Sequence, residues 1–180
     1  MNNNIDHILI TEEEIAAKVK EIADQINKDY EGKEIVCVCI LKGAVIFFGN
    51  LVKNLNMPLS FDFMIVSSYE SGTVSSGKLK IKKDLEQDIC GKHVIIIEDI
   101  LDTGNTLKSL KNELISRKPA SIKLCSLLDK PSRRTADIEC DYIGFKIPDE
   151  FVVGYGLDFD EKYRHLPYIG VLKPECYTNN

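Results

Sequence analysis

The stretch VIIIEDILDTGNTL, residues 94–107, decides how the chain is read. HVIIIED (93–99), with the apolar run Val94 to Ile97 at its centre, reads as a buried strand ending in two carboxylates. The run ends in Glu98 and Asp99, where the strand is expected to stop. Asp102 follows, and then a small polar turn of Thr103, Gly104, Asn105 and Thr106. That turn enters a helix carrying Leu107, Leu110 and Leu114 on one face, stopped near Pro119. A helix start with exposed backbone N–H groups and hydroxyls is an anion cradle. Its dipole favours a phosphate by about 0.3–1 kcal/mol at an exposed site, and charge-assisted hydrogen bonds add to that. Carboxylates beside a phosphate would repel it, so Glu98 and Asp99 must serve something else. Adjacent acids can accept hydrogen bonds from the vicinal hydroxyls of a ribose whose 5′-phosphate sits in the next turn. Two plainer readings compete: the phosphoacceptor pocket of a receiver-like module, and a helix start where Asp102 is simply the N-cap.

Working outward, Thr11 and Glu14 stand at capping-box spacing, and Ile15, Val19, Ile22 and Ile26 recur on one face, predicting a helix over 11–29. EIVCVCI (34–40) reads as a strand, AVIFFGNLVKNL (44–55) as a helix and SFDFMIVSS (60–68) as a strand. The polar stretch SSYESGTVSSGK (67–78) holds little that a core could bury and predicts a mobile loop. SIKLCSLL (121–128), DYIGFKI (141–147) and FVVGYG (151–156) are strand-like. Strands alternating with helices specify an α/β fold, a mostly parallel sheet flanked by helices, with ligands beyond the carboxyl ends of the strands.

The 180 residues carry 23 basic and 28 acidic side chains, a formal charge of −5. This length supports one domain with a self-sufficient core. The acidic balance and the lack of a basic stripe argue against a nucleic-acid surface. The longest apolar run, Ile35 to Leu41, is far short of the roughly 20 residues that cross a bilayer, and no basic-then-apolar leader opens the chain. Six cysteines without CxxC pairing or partner histidines read as reduced residues, mostly in the core, of a cytoplasmic protein.

The 94–107 string resembles the phosphoribosyl-pyrophosphate (PRPP) motif of the type I phosphoribosyltransferases. LKG (41–43), SSY (67–69), Lys130 and FVVGYGLDFDEKYR (151–164) resemble the hypoxanthine-guanine branch of that family in order and spacing, over roughly residues 7–175. Asn105 departs from the pattern, standing where many relatives have Lys.

The resemblance implies one domain over 1–180, with a small hood built from the N-terminal segment and about 150–180. It implies transfer of ribose 5-phosphate from PRPP to purine N9, with hypoxanthine as acceptor and guanine as the second base. Asp102 becomes the catalytic carboxylate near purine N7. Glu98, Asp99, Thr103, Gly104, Asn105 and Thr106 become the ribose and phosphate site. Phe151 stacks on the base, whose edge the Val152 backbone reads. Lys42 and Gly43 form a second anion loop whose Leu41–Lys42 peptide is cis in the family, and Arg164 binds pyrophosphate. Ser68 and Tyr69 belong to a catalytic loop that closes over the site. Mg²⁺ is the implied cofactor, with Asp158, Glu98 and Asp99 as carboxylates near it, and a homodimer or homotetramer is the implied assembly.

Lys130 adds a physical argument of its own. An ammonium donates and cannot accept, so it suits the O6 carbonyl of a 6-oxopurine and not the amino group of adenine. A xanthine- or guanine-preferring enzyme and a non-catalytic PRPP-sensing regulator stay open. The regulator is disfavoured because the chain has neither spare length nor a basic stripe for a nucleic-acid-binding element.

Overall fold

The computed structural model describes residues 3–68 and 79–178. In chain order its elements are β1 (Ile5–Ile10), α1 (Glu12–Asp29), β2 (Ile35–Ile40), α2 (Val45–Val52), β3 (Leu59–Ser68), β4 (Leu79–Lys83), β5 (His93–Leu101), α3 (Asn105–Ser116), β6 (Ser121–Asp129), β7 (Tyr142–Lys146), β8 (Val152–Val153) and β9 (Ile169–Leu172). Short 3-10 turns occupy Pro131–Arg133 and Pro174–Cys176. The main sheet has the order β4-β3-β2-β5-β6-β7. All its neighbours pair in parallel except the edge strand β4, which runs antiparallel to β3.

Strand alternation sorts the apolar residues of β5 into two layers. Ile95 and Ile97 face one side, in a core with Ile15, Ile22 and Ile26 of α1 and Phe47 and Leu51 of α2. Val94 and Ile96 face the other, against Leu107, Leu110 and Leu114 of α3. Both faces are therefore covered, which explains why β2 and the first half of β5 are unbroken apolar runs. The capping box on α1 forms as expected: the Thr11 N–H donates to Glu14 Oε2 at 2.8 Å, and the Glu14 N–H donates to Thr11 Oγ1 at 3.3 Å. A second sheet of order β1-β9-β8 joins the start of the chain to its end around Ile5, Val153, Tyr163 and Leu172.

Three boundaries differ from the sequence reading. β5 runs on through Ile100 and Leu101, because these pair with Leu128 and Asp129 of the long β6. Glu98 and Asp99 therefore lie inside the strand rather than at its end. α2 stops at Val52, short of residue 55. The stretch 151–156 keeps only Val152–Val153 as strand, since Gly154, Tyr155 and Gly156 all take positive φ and turn the chain back, with Gly154 bridged to Leu157. Of the expected loop of 67–78, Ser67 and Ser68 are instead the end of β3, and 69–78, with Tyr69, lies outside the described residues. All six cysteines are free: Cys37, Cys39 and Cys125 are buried, whereas Cys90 is exposed. Burial pushes the Cys37 and Cys39 thiols up to about 12, which makes them inert packing groups.

Asp62 on β3 is a buried carboxylate. Burial alone would raise its pKa, but N–H donors of Phe63 (2.7 Å), Glu86 (2.7 Å) and Gln87 (3.1 Å), with Lys83 nearby, win and hold it below the usual carboxylate value. A depressed folded-state pKa contributes stability above the unfolded value, near 3.8, that is lost as pH falls through the folded one. Asp62→Ala is expected to cost about 2–4 kcal/mol at pH 7 in urea unfolding, by leaving buried donors unpaired. That deficit should shrink below pH 4; a pH-independent deficit would contradict the account.

Candidate active site

The chain leaves β2 through α2 towards β3 on one side and leaves β5 through α3 towards β6 on the other. The carboxyl ends of β2 and β5 thus flank a topological switch point, where open α/β sheets bind ligands. The 41–43, 98–106 and 154–164 segments singled out in the sequence meet there. Glu98, Ile100, Asp102, Thr103, Gly104 and Thr106 line a cavity of about 180 Å³. A larger cavity of about 390 Å³ opens at the opposite ends of β2 and β5, around Lys33, Lys92 and His93. None of the chemistry-bearing loops lines it.

α3 begins without a side-chain cap: its N-cap is Gly104 at φ 82°. Asp102 is therefore not the N-cap, and the plainer reading of that residue falls. The first-turn N–H groups face the cavity end with no side-chain acceptor from the cap, an arrangement suited to a phosphate. Asn105 turns aside to donate to Thr135 Oγ1 at 3.1 Å. Behind the turn, Arg134 donates to the carbonyls of Asp102 (2.9 Å) and Leu101 (2.8 Å) and pairs with buried Asp129. The N–H groups of Thr135 and Ala136 donate to the Thr103 carbonyl at 3.1 and 3.0 Å. A Cβ on Gly104 would strike Ile138 and crowd Arg134, so the loop is held against segment 134–138 as a fixed surface.

Glu98 and Asp99 have different surroundings. Glu98 faces the cavity; burial, then the adjacent Asp99 charge, push its carboxyl well above the usual range. Asp99 lies against Gly43, where a Cβ would overlap its carboxylate. The Leu41–Lys42 peptide before that glycine is cis. Gly156 in turn packs on the Gly43 carbonyl, with no room for a side chain. Two glycines thus let the motif, the 41–43 loop and the 154–164 loop approach one another.

At the far end of β6, Lys130 is only 7% exposed, against the expectation for an ordinary loop lysine. Its ammonium donates to the Glu150 carbonyl at 2.6 Å and lies 3.8 Å from Asp149. Phe151 follows directly and is 37% exposed, an uncommon state for Phe that leaves a ring surface for a flat ligand. Val152 is buried and pairs with Val171 of β9. Ser68 is the last residue of β3.

The remaining loop carries Asp158 and Arg164. Arg164 donates to the Gly156 carbonyl (2.8 Å) and pairs with Asp158 (2.9 Å). Asp158 also accepts the N–H of Glu161 at 2.9 Å. Among the described residues, no three His, Cys, Asp or Glu side chains converge as a metal cage. Magnesium needs none: it keeps waters and takes one or two carboxylates plus ligand oxygens. Asp158, whose two oxygens each keep a second lone pair, and the Glu98–Asp99 pair fit that requirement.

Residues not anticipated from sequence complete the site. Arg133 Nε lies 3.0 Å from Asp102 Oδ1, and its Nη1 is 3.4 Å from Asp149. Tyr177 stacks on Phe151 with ring centroids 4.9 Å apart and planes at 22°, while Phe159 meets the Phe151 edge at 5.5 Å. The two-arginine run in LDKPSRR was the available signal for Arg133 and Arg134. Tyr177, 26 residues from Phe151, had none.

An uncapped helix start at a strand–helix turn, with two acids in the strand before it and glycines that bring the 41–43 and 154–164 loops together, is the arrangement of one class. The family described as the phosphoribosyl transferase domain matches over residues 7–160, and the chain belongs to it, with the type I phosphoribosyltransferase fold. Within that family it is 57% identical to a hypoxanthine-guanine phosphoribosyltransferase of Staphylococcus aureus over 179 residues, 99% of this chain and 100% of the relative. It is 51% identical to one of Streptococcus thermophilus, covering 99% of each. A crystal structure of a hypoxanthine phosphoribosyltransferase from Staphylococcus aureus superposes with a TM-score of 0.96 at 57% identity, covering 99% of this chain and 97% of that one.

Proposed function

We propose that the chain is a purine-salvage enzyme that transfers the 5-phosphoribosyl group of PRPP to N9 of hypoxanthine, with guanine as its second base. The bond from C1′ to the pyrophosphate oxygen breaks, the C1′–N9 bond forms, and IMP or GMP leaves with pyrophosphate. The observation that carries this reading is the buried Lys130 ammonium beside an exposed Phe151 ring, at the same sheet end as the uncapped start of α3.

Each group then has a physical task. The N–H groups and hydroxyls of Thr103 to Thr106 hold the 5′-phosphate, and Glu98 and Asp99 accept from the ribose hydroxyls. Phe151 stacks on the base, the Val152 backbone meets its edge, and Lys130 donates to O6. Asp102 takes the proton that the base must lose as N9 bonds to carbon, by way of N7. Lys42 and Arg164, with the Gly43 backbone, hold the pyrophosphate in line with the attacking nitrogen. Mg²⁺ bound with PRPP, near Asp158, Glu98 and Asp99, would neutralise charge on the departing group. Ser68 and Tyr69 open the segment proposed to shield the sugar from water. The three-stranded sheet of β1, β8 and β9 acts as a hood of the same single domain.

The chain is expected to work in the cytoplasm; no helix among the described residues is long and apolar enough to cross a membrane. Assembly as a homodimer or homotetramer is supported by the exposed ring of Phe61, which lies edge-on to Phe48 and Phe63. A monomer in sedimentation at micromolar concentration would overturn that part. The function is tested with PRPP, Mg²⁺ and each of five bases, scoring nucleotide formed. IMP and GMP are the expected products. Conversion of adenine but not hypoxanthine would overturn the role of Lys130, and PRPP binding without turnover would turn the reading to a sensor.

A further inference from the structure

We infer that Glu161 is an internal counter-anion of the pyrophosphate subsite, occupying the two cations that the leaving group must claim and so setting how tightly that group is held. The inference rests on the assignment of Lys42 and Arg164 to pyrophosphate. One oxygen, Glu161 Oε2, lies 2.9 Å from Lys42 Nζ and 3.4 Å from Arg164 Nη2. The contact with Lys42 spans 119 positions in sequence. It is therefore a product of the fold and not of local helix spacing. A carboxylate oxygen shared between an ammonium and a guanidinium occupies the place of a phosphate oxygen.

The backbone presents Glu161 for this contact. Asp160 and Glu161 take φ of 51° and 59° within a tight turn closed by the Phe159–Lys162 bridge. Left-handed conformations are disfavoured for residues with a Cβ and persist where the surroundings enforce them. The Glu161 N–H is anchored on Asp158 Oδ2, so the side chain leaves the turn from a fixed point.

The exposure of the pair sets the scale of the effect. Lys42 and Glu161 are each more than half exposed, and such pairs are weak and screened by salt. Arg164 keeps its bonds to the Gly156 carbonyl and to Asp158 when Glu161 withdraws. Glu161 is thus a displaceable occupant: strong enough to hold the cations in place, weak enough to yield to a polyanion. Its return, once the bond to C1′ has broken, competes with pyrophosphate and favours release.

The test is calorimetric titration of inorganic pyrophosphate with Mg²⁺ into wild type, Glu161→Gln, Glu161→Ala and Asp160→Asn. Asp160→Asn removes the same charge one residue away, from a side chain that pairs with Lys162. The alanine variant excludes a gain made by the amide of glutamine. Both Glu161 variants are expected to bind pyrophosphate about 3–5-fold more tightly, with the gain fading as salt rises, as removal of an exposed competing pair predicts. Asp160→Asn should change affinity by less than half of that. Unchanged or weaker binding in the Glu161 variants would overturn the inference, as would an equal gain in Asp160→Asn. Lys42→Ala separates the two levels. If it binds pyrophosphate like wild type, the assignment of the subsite itself fails; if it weakens binding while the Glu161 variants do not tighten it, only the counter-anion role fails.

Discussion

Asp102→Asn is expected to lower kcat for hypoxanthine by about 10²–10⁴-fold, the range of general acid–base assistance, with little change in the KM for PRPP. α3 is capped at Gly104, so the carboxylate is not committed to the helix. Its backbone is held by Arg134, and its Oδ1 is shielded and paired with Arg133. An asparagine keeps the shape and the carbonyl that Arg134 binds but cannot take a proton. Folding should therefore be preserved, with a melting temperature within a few degrees of wild type. Turnover at the wild-type rate in a folded Asp102→Asn protein would remove the residue from the mechanism.

Lys130→Met carries the second large effect. The methionine fills much the same volume but removes a buried ammonium that meets the Glu150 carbonyl at 2.6 Å. Truncating one partner of a buried charged hydrogen bond costs about 2–5 kcal/mol. On the proposed reading kcat/KM for hypoxanthine and guanine should fall by about 10²–10³-fold, while adenine gains relative to them. PRPP binding, measured by titration without base, should stay near wild type, because the proposed role of Lys130 is confined to the base. An equal loss for PRPP would mean that the substitution had disturbed the sheet end and not the reading of O6.

Much of this arrangement is legible in the sequence because the relevant signals are local. The β-branched run of β5, the capping box on α1 and the leucines of α3 each follow from residues a few positions apart, and each element forms where expected. The errors arise where distant partners decide. β5 outlasts its apolar run because β6 continues beside it, and the 151–156 stretch bends because two glycines must pass close to Gly43 and to the Tyr168 carbonyl. Among the site residues, Lys130 was visible by type and place, yet its burial depends on residues 149–150 that pack over it. Arg133, Glu161 and Tyr177 act through pairings 31, 119 and 26 residues away in sequence. No spacing rule reports such contacts.

The ring of Tyr177 beneath Phe151 has a practical corollary for anyone preparing this protein. Clipping or truncation that removed the short turn Pro174–Cys176 and Tyr177 after it would strip the underlay from the surface on which the base is proposed to rest. Batches that differ in the integrity of this segment should differ first in their apparent appetite for the nucleobase.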